Sequence, residues 1–503
     1  MKNDVVIIGG GIGGLFAGAF LAKNGLTVTI LEKNSIIGGG LQCFHRKGKI
    51  YETGMHVMGG FEKGGSLTKI CNYLGILDIL NIQHVPCGCM DEIMYDIPKT
   101  QYNIPSGREA FVNYFSELFP EDANGIKEYV DEIYRLTEEV PLFYLKEAQH
   151  SLTVHSEKFT WAANRLINHY VKNPKLQEVL AYLNPLYGGI ENHTPAYVHA
   201  LINVLYIGGA SRFVGGSQQL ADALKSVIEA HEGKVLAGKE VSDISVTDKN
   251  INYVKTSGGD LYEGTWYISA IHPTELIRLV PQGTFLRGFV NRLNEIPNSY
   301  SAFSLFIDLK PDKIPYINHT CYYMSDYGYM WNQHKVSEDV WPKGFMYMTP
   351  PDPDQGKYAS RLLVHCIMDY SEVDKWAKTG VGKRGADYYN WKEERVEQIL
   401  SKLEIPLLGL REAIDNVYAA SPLTIRDYFH TKNGAIFGYR KDCENLIFSQ
   451  LPVYTKVKNL LLTGQNINLH GICGVPLTAI NTAEAILGVN TLVKKINDTY
   501  KDY

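Results

Sequence analysis

The chain has no extended block of consecutive Lys and Arg, and its net charge is -5 with an isoelectric point near 6.3, so it offers no stripe that would track nucleic-acid phosphates. Its eight cysteines include one CxC pair, Cys87 and Cys89, and no CxxC. Neither a zinc cage nor a disulfide framework is expected, no metal is assigned, and the thiols read as reduced. No apolar stretch is long enough to cross a bilayer; the longest helical one, 195–207, carries His199 and Asn203. Met1 to Asp4 run straight into Val5-Val6-Ile7-Ile8, which leaves no room for the regions of a signal peptide. The expected location is cytoplasmic, with any membrane contact peripheral. Only one GxGxxG follows a strand, so a second dinucleotide-binding unit is not expected.

What remains is an ordinary globular composition, 45% hydrophobic and 20% charged, in 503 residues. That is more than one core usually supports, so two domains are expected. Val5 to Ile8 reads as a strand buried on both faces, Gly9 to Gly14 as a tight loop, Leu15 to Asn24 as a helix and Leu26 to Leu31 as a second strand. This is a βαβ unit. Gly9, Gly11 and Gly14 form GxGxxG between strand and helix, where glycine permits the turn, the approach of a pyrophosphate and close helix packing. Glu32 ends the second strand, placed to accept hydrogen bonds from both ribose hydroxyls of an adenosine, and its charge would repel a 2′-phosphate.

Ser106 with Glu109 spells a capping box, and the chain from about 106 to 207 reads as helical. Within it, 141–187 is rich in aromatics, suited to a helical core or to a greasy lid. A helix capped by Ser217 follows. The stretch 234–270 alternates like strands with a hairpin at Ser257-Gly258-Gly259-Asp260. Residues 276–440 mix short strands with a long helix from Tyr388 to Leu403. A last buried strand, 459–464, precedes Gly471 to Pro476 and a helix after Pro476. Gly38-Gly39-Gly40 behind Glu32, and the glycines at 464, 471 and 474, favour a cofactor longer than NAD, since they let backbone lie along a second half.

Val5 to Glu32, Gly38-Gly39, Tyr51 to His56, Val214 to Ser217, Ile268 to Pro273, Ser421 to Thr424 and Gly464 to Pro476 together resemble the phytoene desaturase, carotenoid isomerase and retinol saturase superfamily. The resemblance implies an α/β fold with a Rossmann-like, glutathione-reductase-type FAD domain that is discontinuous (1–75, 208–275 and 441–503), and an inserted α+β substrate domain (76–207 and 276–440). It implies that Gly9, Gly11, Ile12, Gly13, Gly14, Glu32 and Lys33 hold the ADP half, with Val241 beside the adenine. Gly38, Gly39, Met55 and His56 would lie along the pyrophosphate and flavin, and Gly464, Gln465, Gly474 and Val475 would close the ring end. Gly40 replaces the arginine usual in the desaturases and Gln465 an aspartate, departures that look more like the retinol saturase branch.

The expected activity is therefore FAD-dependent reduction or desaturation of a carbon–carbon bond in an apolar polyene, with NAD(P)H, a quinone or O2 as transient partner. A flavin-dependent cis/trans isomerase, a flavin amine oxidase and a flavin-free lipid carrier are the alternatives. His56, His470 and Tyr187 are the catalytic candidates, each with a structural reading beside it. Cys473 is close enough to the expected ring to raise a covalent flavin link, against a buried apolar thiol.

Overall fold

The computed structural model describes residues 3–54, 57–148, 154–338 and 340–501. Asn3–Ile8, apolar on both faces of its pleat, lies at the centre of a five-stranded parallel sheet in the order Lys234–Leu236, Val28–Leu31, Asn3–Ile8, Gly264–Ser269, Leu460–Leu462. Three stretches far apart in the chain thus share one sheet. Parallel strands of this kind must be covered on both sides. On one side the helix Ile12–Lys23, buried from Gly13 to Ala22, packs between Gln218–Ala230 and Gly471–Leu487. On the other, Val6, Ile8, Leu31 and Tyr267 meet Val241, Ile244 and Val254 of a small antiparallel sheet.

The second large sheet has seven strands, in the order Ile414–Ala420, Ser301–Leu309, Arg361–Met368, Gly344–Met348, Thr320–Asp326, Asp91–Ile97, Thr100–Ile104. Its pairs are antiparallel except Thr320–Asp326 with Asp91–Ile97. Side chains alternate between two cores. Phe306, Tyr322, Met324, Met346 and Leu363 face the helices of 108–207, while Phe303, Leu305, Cys321, Tyr323 and Phe345 face Trp391 and Ile399 of the helix Ala386–Leu403. The stretch 106–207 is helical as expected, through Arg108–Leu118, Ala123–Glu138, Ala163–Tyr170, Pro174–Leu180 and Ala196–Ile207.

Several helix ends differ from the sequence expectation. Gly107, not Ser106, is the N-cap of Arg108–Leu118, and no side chain caps it, because the chain enters at a positive φ of 97° that suits glycine. Ser217 stands at the N-cap of Gln218–Ala230, but its hydroxyl donates instead to the Leu41 carbonyl at 2.9 Å, tying the helix start to the glycine loop behind Glu32. The last core helix begins at Gly471, ahead of Pro476, which lies inside it. A proline there forgoes a single bond to the carbonyl four residues back, and the burial of Cys473 to Ile480 offsets that loss. Among the described residues, no single helix is long and apolar enough to cross a membrane.

Helix Ala123–Glu138 approaches its neighbour so closely that a Cβ on Gly125 would stand 2.0 Å from the Tyr170 carbonyl oxygen. Gly125→Ala is expected to cost about 1–3 kcal/mol through overpacking. Urea unfolding measures it, and an unchanged midpoint would refute this close approach.

Candidate functional site

A cavity of about 540 Å³ opens where the two sheets meet. Its first end is built from backbone. Gly9, Gly11, Ile12 and Gly13 line it at the start of the first helix, with Glu32, Lys33 and Val241 beyond them and Gly39 opposite. Gly14 and Gly38 do not line the cavity but permit its wall. A Cβ on Gly14 would fall 2.1 Å from the Gly9 carbonyl, and Gly38, at a φ of 109°, donates its N–H to the Gly10 carbonyl at 2.8 Å. Glu32 is a strut as well as a wall: its Oε2 accepts from the Gly10 N–H at 2.7 Å and its Oε1 from the Asn34 N–H at 2.8 Å. Met55 and His56 lie outside the described residues.

Across the cavity stand Gly464, Gln465, Gly474 and Val475, with His470 as N-cap of the helix Gly471–Leu487. A Cβ on Gly13 would come within 2.9 Å of the Gly464 Cα, so the two walls touch backbone to backbone. Two helix N-termini, at Ile12 and Gly471, therefore open on one cavity, each presenting unpaired amides and the positive end of a helix dipole. Thr463 Oγ1 and His470 Nε2 are buried with no hydrogen-bond partner among the described residues, and both residues line the cavity. Unmet polar atoms beside two anion-attracting helix ends are what a large, doubly polar ligand such as a dinucleotide satisfies.

The other end is apolar. Val198, Leu201, Ile202 and Leu205 come from the helix Ala196–Ile207, and Tyr322, Met324 and Met346 from the seven-stranded sheet, with Met58 and Met330 at the margins. Flexible thioethers adapt to irregular apolar shapes. Sequence reasoning missed these residues, and it also missed Tyr428, Phe429 and His430 beside Lys33. The last three sit at the far end of the helix Pro422–Phe429, whose start is a capping box between Ser421 and Thr424. That box was the only legible signal for them.

The catalytic candidates separate. His470 is buried at the cavity wall, edge-on to Phe437 at 5.2 Å, and burial followed by the nearby Lys441 charge lowers its pKa to about 4. Its ring also bonds the Tyr187 carbonyl, which fixes an N–H there and leaves Nε2 as a bare acceptor. Tyr187 does not line the cavity and takes the structural role that was its other reading. Its hydroxyl lies 2.9 Å from His199 Nδ1, while Tyr129 holds His199 Nε2 at 2.6 Å, a buried polar cluster inside the helical core. Cys473 lines the cavity, but its thiol rests 3.2 Å from the Ser66 hydroxyl, and burial pushes its pKa up to about 12. It stays protonated, which argues against a covalent link.

Burial keeps His199 (pKa lowered to about 3), His272 (about 4) and His470 (about 4) neutral. Unfolded histidines titrate near pH ~6.5, so the unfolded chain takes up protons first. Their contribution to stability is therefore level above about pH 6.5 and is lost as pH drops toward about 4. His199→Gln is expected to flatten that slope, by up to about 1.4 kcal/mol per pH unit. Parallel urea-midpoint profiles for variant and parent between these limits would refute the account.

The family description "NAD(P)-binding Rossmann-like domain" matches residues 7–74. Along nearly its whole length the chain is similar to all-trans-retinol 13,14-reductase of Homo sapiens, 26% identical and covering 97% of this chain and 86% of that one. It is also similar to the chloroplastic prolycopene isomerase of Daucus carota, 25% identical over 86% of this chain and 71% of that one. Among solved structures, a putrescine oxidase bound to putrescine shares the fold at a TM-score of 0.65 and 15% identity, covering 97% of this chain and 99% of that one.

Proposed function

We propose, from its similarity to all-trans-retinol 13,14-reductase and prolycopene isomerase, that the chain is an FAD-dependent oxidoreductase of the retinol saturase and carotenoid isomerase superfamily, acting on a carbon–carbon double bond of an apolar, polyene-like substrate. One observation carries this reading: a single cavity joins a glycine-built, doubly helix-capped polar end to an end lined by Leu201, Leu205, Met324 and Met346. FAD bound there supplies two-electron hydride chemistry. The chain's own residues do the rest. Glu32 keeps a lone pair free on each oxygen for the ribose hydroxyls after bonding Gly10 and Asn34. The N-terminus at Ile12 would hold the pyrophosphate, and that at Gly471, with Gln465 and Thr463, the ring end. His470, neutral with a bare Nε2 at the cavity wall, is the group able to accept a proton or a hydrogen bond there; His56 remains a second candidate.

The division into an FAD region (1–75, 208–275, 441–503) and an inserted substrate region belongs to the same reading. So do a transient NAD(P)H, quinone or O2 partner and delivery of the substrate at a membrane surface. A second reading, isomerisation without net electron transfer, draws on the similarity to prolycopene isomerase.

The deciding experiment reduces the flavin-loaded enzyme anaerobically and offers retinoids, carotenoids and amines. Reoxidation by a polyene that gains two hydrogens is expected. A product of unchanged mass favours the isomerase, and a protein that binds no flavin after reconstitution overturns both readings. Glu32→Ala is expected to weaken FAD binding by about tenfold or more, the equivalent of about 1.4 kcal/mol, in equilibrium titrations. Ile202→Trp, filling the apolar end, is expected to leave the flavin spectrum intact and to lower kcat/KM for the polyene at least about tenfold. Equal kcat/KM would move the substrate elsewhere.

A further inference from the structure

On the opposite face of the seven-stranded sheet from the cavity, three metal-ligating side chains, Glu92, His319 and Cys321, converge, with Cys89 beside His319. The parallel register pairs Cys321 with Glu92, so both side chains project to one face, and His319, two residues before Cys321, shares it. One ligand atom from each of Glu92, His319 and Cys321 lies within 4.8 Å of the others, with His319 Nε2 3.7 Å from Glu92 Oε2. Cys89, at the turn leading into Asp91–Ile97, sets its thiol against the same imidazole. Cys321 is buried, while the His319 and Glu92 side chains are 23% and 21% exposed, so the cluster has one buried and two solvent-reachable members.

We propose that Cys89, Glu92, His319 and Cys321 form a structural zinc site. Two thiolates, one imidazole and one carboxylate are a donor set that suits Zn2+ and disfavours Mg2+ or Ca2+. In a tetrahedral site the donor atoms stand about 3.3–3.8 Å apart, given Zn–N and Zn–S lengths of ~2.0 and ~2.3 Å. Outer partners are in place: the Gln101 amide donates to Glu92 Oε2 at 2.8 Å, and the Tyr347 hydroxyl bonds Cys321. Binding takes both thiols and the His319 imidazole in their deprotonated forms and releases the protons they carry to solvent. With four protein ligands no position is left for a water, so the ion pins the Cys87–Glu92 turn to the strand Thr320–Asp326 and does not enter the redox chemistry.

The site is independent of the flavin reading, and so is its test. The full chain, stripped with a chelator and titrated anaerobically with Co2+, is expected to bind one equivalent, with thiolate-to-cobalt charge transfer and tetrahedral d–d bands that Zn2+ abolishes. Cys89→Ser is expected to halve the charge-transfer intensity, and Cys89→Ser with Cys321→Ser to remove it, whereas Cys87→Ser leaves it intact. Circular dichroism checks that each variant is folded, and Cys89→Ser, at a half-exposed turn, guards against loss of fold in the buried Cys321→Ser. A parent protein without the charge-transfer band, or a band undiminished in the double variant, overturns the proposal.

Discussion

The molecule depends on a backbone contact that no side chain can share. At Gly13 and Gly464 two loops from opposite ends of the chain meet with room for a hydrogen but not a methyl group, and Gly14 lies as tightly on the Gly9 carbonyl. That contact seats the helix Ile12–Lys23 on the parallel sheet, and it brings the C-terminal strand and helix to the N-terminal loop. Only then do two helix N-termini open on the same space. A bulkier residue at Gly13 would part the walls, and the charge-attracting amides would face solvent separately. The cavity's polarity is thus a consequence of packing, since much of its polar end is main chain.

That origin explains how few charges the cavity uses. Glu32 spends a hydrogen bond from each oxygen on bracing the loop, and Lys33 leans toward Glu240 at 4.0 Å. His272 and His470 are held neutral by burial. A site with fixed amide dipoles and neutral imidazoles can hold an anionic ligand at one end while Leu201, Leu205 and Met346 suit the other end to hydrocarbon.

The parts legible in the sequence are those in which local chemistry and fold agree. The first βαβ unit was readable because strand, glycine spacing, helix and acid occupy one short stretch, and the meander of 241–262 because its strands alternate and turn at Ser257–Asp260. The seven-stranded sheet was not. Ser301–Leu309 and Gly344–Met348 are buried at every position, so they show no alternation from which to read a face, and nothing local tells which strands pair. Tyr187, ahead of a double glycine, read more readily as core than as pocket; its partner, His199, sits on a neighbouring helix and is hidden from pattern. The absence of CxxC argued against a metal, yet Glu92 and Cys321 become neighbours only through a strand pairing the spacing cannot express.

That pairing also couples the two faces of the sheet. Thr320–Asp326 carries Cys321 toward the Glu92 side and Tyr322 toward the cavity. A slip of one residue against Asp91–Ile97 would exchange them, sending a thiol into the apolar wall and a tyrosine into the ligand cluster. Asp91, Tyr182 and Tyr322 hold the cavity side through a buried carboxyl whose pKa is raised by burial to about 7, and the Tyr182 hydroxyl bonds it at 2.9 Å. Register at this strand is therefore specified twice, once by polar groups on each face, and the wall that shapes the apolar end of the cavity takes its position from both.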